Sequence, residues 1–163
     1  MVYFFHMPKR YWLVKSEADC YSIDDFRRDK RVPWSGIRNY QARNFMRDGM
    51  HASDLVLYHH SNGDPTGVVG IAKVVAEAHP DLTALDPKDE HFDPKATKAN
   101  PIWLNVDLAF VEKFPRTVSL AEMKKIPALK KMELLKIGQR LSVLPVTPEE
   151  FKTISELAKK NPL

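Results

Sequence analysis

Trp34-Ser35-Gly36-Ile37-Arg38-Asn39-Tyr40-Gln41-Ala42-Arg43-Asn44 sets an indole, two guanidinium groups and two Asn carboxamides around a single glycine. Side chains of these kinds stack on a base and grip its edges and phosphate, and they serve ordinary packing equally well. Two other clusters weigh on that choice. Upstream, Tyr11-Trp12-Leu13-Val14 reads as a buried strand ending in Lys15-Ser16-Glu17. Downstream, the apolar strand Leu55-Val56-Leu57-Tyr58 ends in His59-His60-Ser61-Asn62 and enters the turn Asn62-Gly63-Asp64-Pro65. Three polar clusters at element ends point to one shared pocket.

Composition bounds the molecule that would carry it. With 163 residues, 44% of them hydrophobic, the chain fits one domain with a single core. No apolar run reaches the length of a membrane span, and no N-terminal segment has the basic, apolar, small-residue order of a signal peptide, so the expected protein is cytoplasmic, without membrane association. Cys20 is the only cysteine, which excludes an intramolecular disulfide. His59 and His60 are adjacent, and neighbours on a strand point to opposite faces, so neither a metal site nor a cofactor is expected. The net charge of +4 hides a polarity: residues 1–50 and 101–163 each sum to +4, whereas residues 51–100 sum to −4. Asp81, Asp86, Asp89, Glu90 and Asp93 crowd one loop of that middle third, leaving a basic face elsewhere.

Caps and periodicity give the elements. Ser22 with Asp25 starts a helix through Asp29, and Asn39 caps another that stops near Gly49. Strands follow over Asp54–His59 and Gly67–Ala78, then a Pro-punctuated loop from His79 to Pro101. Val106, Leu108 and Phe110 alternate with Asp107 and Ala109 in a half-buried strand from Ile102 to Glu112. Ser119 to Glu122 reads as a capping box, Leu129–Ile137 as a further helix closed by Gly138, and Leu141–Leu144 as a last strand. Thr147-Pro148-Glu149-Glu150 opens a C-terminal helix to about Lys160. The expected class is α+β, a mixed barrel of about five or six strands flanked by helices.

The chain resembles the EVE domain family of the PUA-like superfamily, which is related to the YTH modified-base readers. The likeness runs from Tyr11 to about Ile154. It rests on Tyr11 through Glu17, the Trp34–Asn44 run, His60-Ser61-Asn62, His79-Pro80-Asp81, Phe92-Asp93-Pro94, Trp103, Val106-Asp107 and Arg140-Leu141-Ser142-Val143. It implies a PUA-like β-barrel whose pocket takes one nucleobase, with modified cytosines among the family's ligands. The chain departs from the family pattern at Ala18, usually Pro, and at His59, customarily Tyr. Gly63 is often Cys, Ser53 is usually Gly, and Gly49 looks like a one-residue insertion. Residues 1–9 precede the likeness and read as a dispensable extension, leaving residues 10–163 as one domain.

The expected function is a non-enzymatic reader, acting as a monomer, that flips a modified base of DNA or RNA into this pocket. Trp34 would stack on the base, so that its truncation removes binding with little loss of stability. Lys15, Ser16, Asn39, His60, Ser61 and Asn62 would line the walls, and Phe92 would supply a second aromatic face, with His79 and His91 as the other candidates. Arg38 and Arg43 could reach phosphate or anchor the loop. An alternative is a small amidohydrolase acting on acylated cytidines, since Lys15, Ser16 and Glu17 match residue types used by the related ASCH domains. Alternation along a strand opposes their convergence.

Overall fold

The computed structural model describes residues 8–162; the aromatic extension Met1 to His6 lies outside them. Six strands form one mixed sheet: β1 (Tyr11–Ser16), β2 (Arg31–Pro33), β3 (Leu55–His60), β4 (Gly67–Pro80), β5 (Leu104–Ser119) and β6 (Val143–Val146), in the order β2-β5-β4-β3-β1-β6. Only β1 and β3 run parallel; the other neighbours are antiparallel. Four helices accompany the sheet: α1 (Ile23–Asp29), α2 (Tyr40–Asn44), α3 (Leu120–Met123) and α4 (Pro148–Leu157).

The pleat sorts the core into two layers. Trp12, Val14, Val56 and Tyr58 turn to one face, where they meet Ile23 and Phe26 of α1, Ala42 of α2 and Trp34. Leu13 and Leu57 turn to the other, against Met123 of α3 and Phe151 and Ile154 of α4. Both faces of the sheet are therefore buried, which explains why β1 and β3 read as continuous apolar runs. Buried Asp54 ties the start of this pair together, accepting from Arg10 N at 3.1 Å, Trp12 Nε1 at 3.0 Å and His51 N at 2.8 Å.

Local signals hold where the chain itself supplies the partner. Ser22 and Asp25 close a capping box on α1, and Thr147 and Glu150 close one on α4, with Pro148 in the first turn. The helix capped by Asn39 keeps α geometry only to Asn44 and continues as a π-helical turn over Phe45–Gly49. Such a turn absorbs one extra residue, and Gly49 is the residue that looks inserted. A Cβ there would stand 2.6 Å from the Trp12 ring.

Elsewhere the expected boundaries change. The expected helix over Leu129–Ile137 is replaced by two short 3-10 turns, Pro127–Leu129 and Glu133–Leu135. Leu129, Met132 and Leu134 are all buried, and a helix would set Leu134 well around its circumference from Leu129; breaking the helix buries both. The expected strand Ile102–Glu112 runs on through Pro115 to Ser119, because the ladder shifts register between Val68 and Gly70, opposite that proline. The last strand begins two residues later than its pattern suggests. Strand β2 is too short to show periodicity and exists through its pairing with Asp107–Ala109.

Ser53, where the family usually has glycine, sits at φ 79 with its N–H on Val74 O. A side chain is strained in that region, whereas glycine carries a larger folding entropy cost. Ser53→Gly should therefore raise stability by roughly 0.5–1 kcal/mol in denaturant melts.

Candidate functional site

The end of β1, the loop after it, β2 and the Trp34 loop enclose a cavity of about 340 Å³, lined by Lys15, Ser16, Cys20, Tyr21, Val32, Pro33, Trp34, Ser35, Ile37 and His91. That volume lies at the small end of ligand pockets, about 300–1,000 Å³, and suits one base. A larger cleft of about 620 Å³ opens between β1, β6 and the end of α2, with chiefly apolar walls including Tyr11, Phe45 and Val146.

Trp34 forms one wall of the smaller cavity. Its N–H donates to Val106 O at 2.8 Å and its ring meets Tyr58 edge-on at 5.6 Å. Only 8% of the residue is exposed, so Trp34 is a core residue as well as a wall, which corrects the expectation that it could be truncated at little cost. Tyr21 O organises the floor, accepting from Ser16 Oγ at 2.9 Å and Tyr58 Oη at 2.8 Å. Burial pushes the Tyr58 hydroxyl up to about 12, and burial with the Asp29 carboxylate pushes Tyr21 higher still. Both phenols stay protonated donors at neutral pH.

The opposite wall comes from the acidic loop, and it is His91 rather than Phe92. Asp89 Oδ1 accepts from His91 N at 2.8 Å and approaches His91 Nδ1 at 3.2 Å, turning the ring inward. The imidazole lies against Gly36, where a Cβ would come 3.0 Å from His91 Nε2; Gly36 also needs its φ of +85. Phe92 takes no part in the wall and is exposed, while His79 is occupied by Asp107 at 2.8 Å.

The two arginines of the motif are engaged inside the protein. Arg38 donates to Asp81 Oδ2 at 3.0 Å, Thr83 Oγ1 at 3.1 Å and twice to His91 O, at 3.0 and 2.7 Å. Asp81 is wholly buried and also takes Gly36 N and Thr83 N. Burial alone would raise its pKa, but the bonds from Thr83, Gly36 and Arg38 outweigh it and hold the carboxyl below its ordinary value. Arg43 donates to Ile102 O at 2.9 Å and lies over Tyr40 and Trp103, which stack at 4.8 Å. Trp103 Nε1 in turn donates to Asp93 at 2.7 Å. The motif thus knots the Trp34 loop to the acidic loop.

The remaining candidates are mostly committed elsewhere. Asn39 Oδ1 caps α2 by accepting from Ala42 N, and its side chain lies outside the cavity lining. His60 Nε2 accepts from Ile23 N at 3.2 Å, which orients the start of α1. Asn62 clamps the β1–α1 loop, accepting from Ala18 N at 2.8 Å and donating to Asp19 at 2.9 Å. Ser61 bonds back to Ser16 O through its N–H at 3.0 Å. Of the expected residues, Trp34 and Ser16 meet at the cavity, whereas Lys15 only borders it at the end of β1, its side chain turned to the other face of the sheet. Tyr21, missed from the sequence, and His91, an alternative to Phe92 there, complete it; the signal for His91 was the turn-forming Asp89.

Comparison with known proteins gives the family. The sequence pattern of the EVE domain matches residues 10–157. The chain belongs to the EVE domain family. Thymocyte nuclear protein 1 of Rattus norvegicus is 39% identical over 171 residues, covering 93% of this chain and 75% of that protein. A hypothetical protein from Leishmania major is 45% identical with a TM-score of 0.88, covering 93% of this chain and 96% of that one. Human THYN1 protein, solved in complex with 5-methylcytosine containing DNA, is 36% identical with a TM-score of 0.88, over 94% and 100% of the two chains. The six-stranded sheet is accordingly the PUA-like fold of the EVE domains.

In this EVE domain the pleat sends Lys15 to the face opposite Val14 and Ser16, beside its register partner His59. Lys15 has no side-chain partner among the described residues, and burial lowers its pKa. His59 is 2% exposed, with both ring nitrogens unbonded. Burial first, then the Lys15 ammonium and His60, push the imidazole from 6.5 down to about 4. The folded value lies below the unfolded one, so the unfolded chain binds more protons between them. Stability is whole above about pH 6.5 and falls as pH drops toward about 4, by roughly 3 kcal/mol. Burial lowers His60 too and acts in the same sense. Denaturant melts at pH 7 and at about pH 4.5 should show the loss, and His59→Phe should flatten most of it.

Proposed function

We propose that this chain is a non-enzymatic reader that takes a modified cytosine base from DNA or RNA into the cavity between Trp34 and His91. The observation that carries the reading is the cavity itself: an indole wall, an imidazole wall and a hydrogen-bonded floor at the end of β1, of a size for one base. Kinship with human THYN1, solved with 5-methylcytosine containing DNA, supports the choice of ligand. Flipping a base costs a few kcal/mol, and stacking on an aromatic ring returns about 1–3 kcal/mol. A methyl group buried against Trp34, Pro33 and Ile37 would add about 0.8 kcal/mol, roughly a fourfold preference over unmodified cytosine.

Catalysis is disfavoured by the disposition of the three residues that could perform it. Lys15 turns to the other face of the sheet, Ser16 Oγ donates to Tyr21 O, and Glu17 accepts from Cys20 at 3.4 Å. No common point receives a nucleophile and its base. Glu17, Asp19 and Cys20 do gather within 4.8 Å of one another, but all three are exposed, with Cys20 donating to Glu17 and Asp19 accepting from Asn62.

The deciding experiment is an equilibrium titration of matched oligonucleotides that differ only in one cytosine, unmodified or 5-methylated. A preference of about fourfold or more for the methylated form is expected. Equal affinities would remove the modified-base reading.

A further inference from the structure

The cations that the sequence offered for phosphate, Arg38 and Arg43, are spent inside the protein, which leaves open what holds the backbone on either side of a flipped base. The two 3-10 turns and the loop after them supply a different set. Between Met123 and Arg140 the chain carries Lys124, Lys125, Lys130, Lys131, Lys136 and Arg140 against the single carboxylate Glu133. All six cations are exposed. Only Lys136 has a carboxylate partner, Glu133, among the described residues. By contrast Arg28, Arg31, Arg38, Arg47 and Arg116 are each matched to a carboxylate. The excess of positive charge in this one segment exceeds the +4 of the whole chain.

Its position relates it to the cavity. Lys15 N donates to Ser142 O at 2.9 Å, which fastens the end of the basic segment beside the pocket end of β1. A polar cleft of about 430 Å³ separates Asn39 and Gln41 of the α2 start from Gln139 and Arg140. Arg140 lies on that cleft and also lines, with Lys124 and Lys136, a neighbouring one, so the cations of the segment group on one side of it. Buried Leu129, Met132 and Leu134 pin the segment to the core, so its charges are presented on a fixed base.

We infer that Lys124, Lys130, Lys131 and Arg140 form a phosphate track that holds the nucleic-acid backbone flanking the base in the Trp34 cavity. The inference rests on the reader function proposed above. Ile137, wholly exposed at the tip beside Lys136, would also suit an anionic lipid surface. The bond from Lys15 N to Ser142 O, which sets the segment's end beside the base-sized cavity, favours nucleic acid.

The test is the salt dependence of binding to a single-stranded oligonucleotide containing 5-methylcytosine, with Lys124→Gln, Lys130→Gln, Lys131→Gln and Arg140→Gln combined. Each lost phosphate contact lowers the slope of log affinity against log salt by about 0.7. Loss of at least two contacts should therefore flatten the slope by about 1.4 or more and weaken binding about tenfold at low salt. Free 5-methylcytidine should bind the variant as it binds the parent. A control variant with Lys73, Lys88, Lys95 and Lys98 changed to Gln removes the same charge elsewhere and should keep the parent's slope. An unchanged slope in the first variant, or an equal fall in the control, would overturn the track. So would loss of binding to phosphatidylserine vesicles with oligonucleotide binding intact, which would mark a membrane surface instead. If the parent shows no preference for the methylated base yet the first variant alone loses its slope, the reader function fails and the track stands.

Discussion

Trp34→Ala is expected to lower folding stability by about 4 kcal/mol and to weaken binding of a 5-methylcytosine oligonucleotide at least tenfold. The stability loss follows from 8% exposure and the edge contact with Tyr58, which sits in the same buried layer as Phe26 and Val14. The binding loss follows from the stacking energy of one base, and the two must be read separately. Affinity is measured at low temperature, where the variant remains folded, with the folded fraction checked by near-ultraviolet circular dichroism. Trp34→Phe keeps an aromatic face and should lose less on both measures. A Trp34→Ala protein that binds as the parent does would make the indole purely a core residue and move the base elsewhere.

This double duty illustrates what the sequence could tell. The boundaries of α1 and α4 were legible because Ser22 with Asp25 and Thr147 with Glu150 close their boxes within four residues. Strand β2 was not, since Arg31-Val32-Pro33 has no period and depends on a partner far along the chain. In the site, residue type was a fair guide to place but a poor one to role. Trp34 and Ser16 do meet at the cavity. Asn39, His60 and Asn62 have the right chemistry for a base edge, yet backbone N–H groups of Ala42, Ile23 and Ala18 claim them first. A sequence shows which groups can donate and accept, not which neighbour gets there. Phe92 stood ahead of His91 because the related YTH readers take a cage aromatic from the corresponding loop, while the Asp89 turn that decides between them is a matter of backbone geometry.

Arg38→Ala should destabilise the fold by about 4 kcal/mol while leaving the salt slope of nucleic-acid binding unchanged. Among the described residues the guanidinium is the only side-chain cation on Asp81, whose carboxylate is wholly buried, and it also grips His91 O with two nitrogens. Removing it leaves a buried negative charge held by Gly36 N, Thr83 N and Thr83 Oγ1 alone. It also frees the loop that presents the His91 wall. Losing one partner of a buried pair typically costs about 3–5 kcal/mol, and the half-open edge of this one places it near the middle. Arg38→Lys should recover only part of the loss, because an ammonium cannot span Asp81, Thr83 and His91 O together. A double-mutant cycle with Asp81→Asn separates the ion pair from the loop clamp: if the coupling accounts for nearly the whole loss, the His91 bonds add little. If instead Arg38→Ala folds normally and flattens the salt slope by about one phosphate, the arginine reaches the nucleic acid and the internal network is secondary.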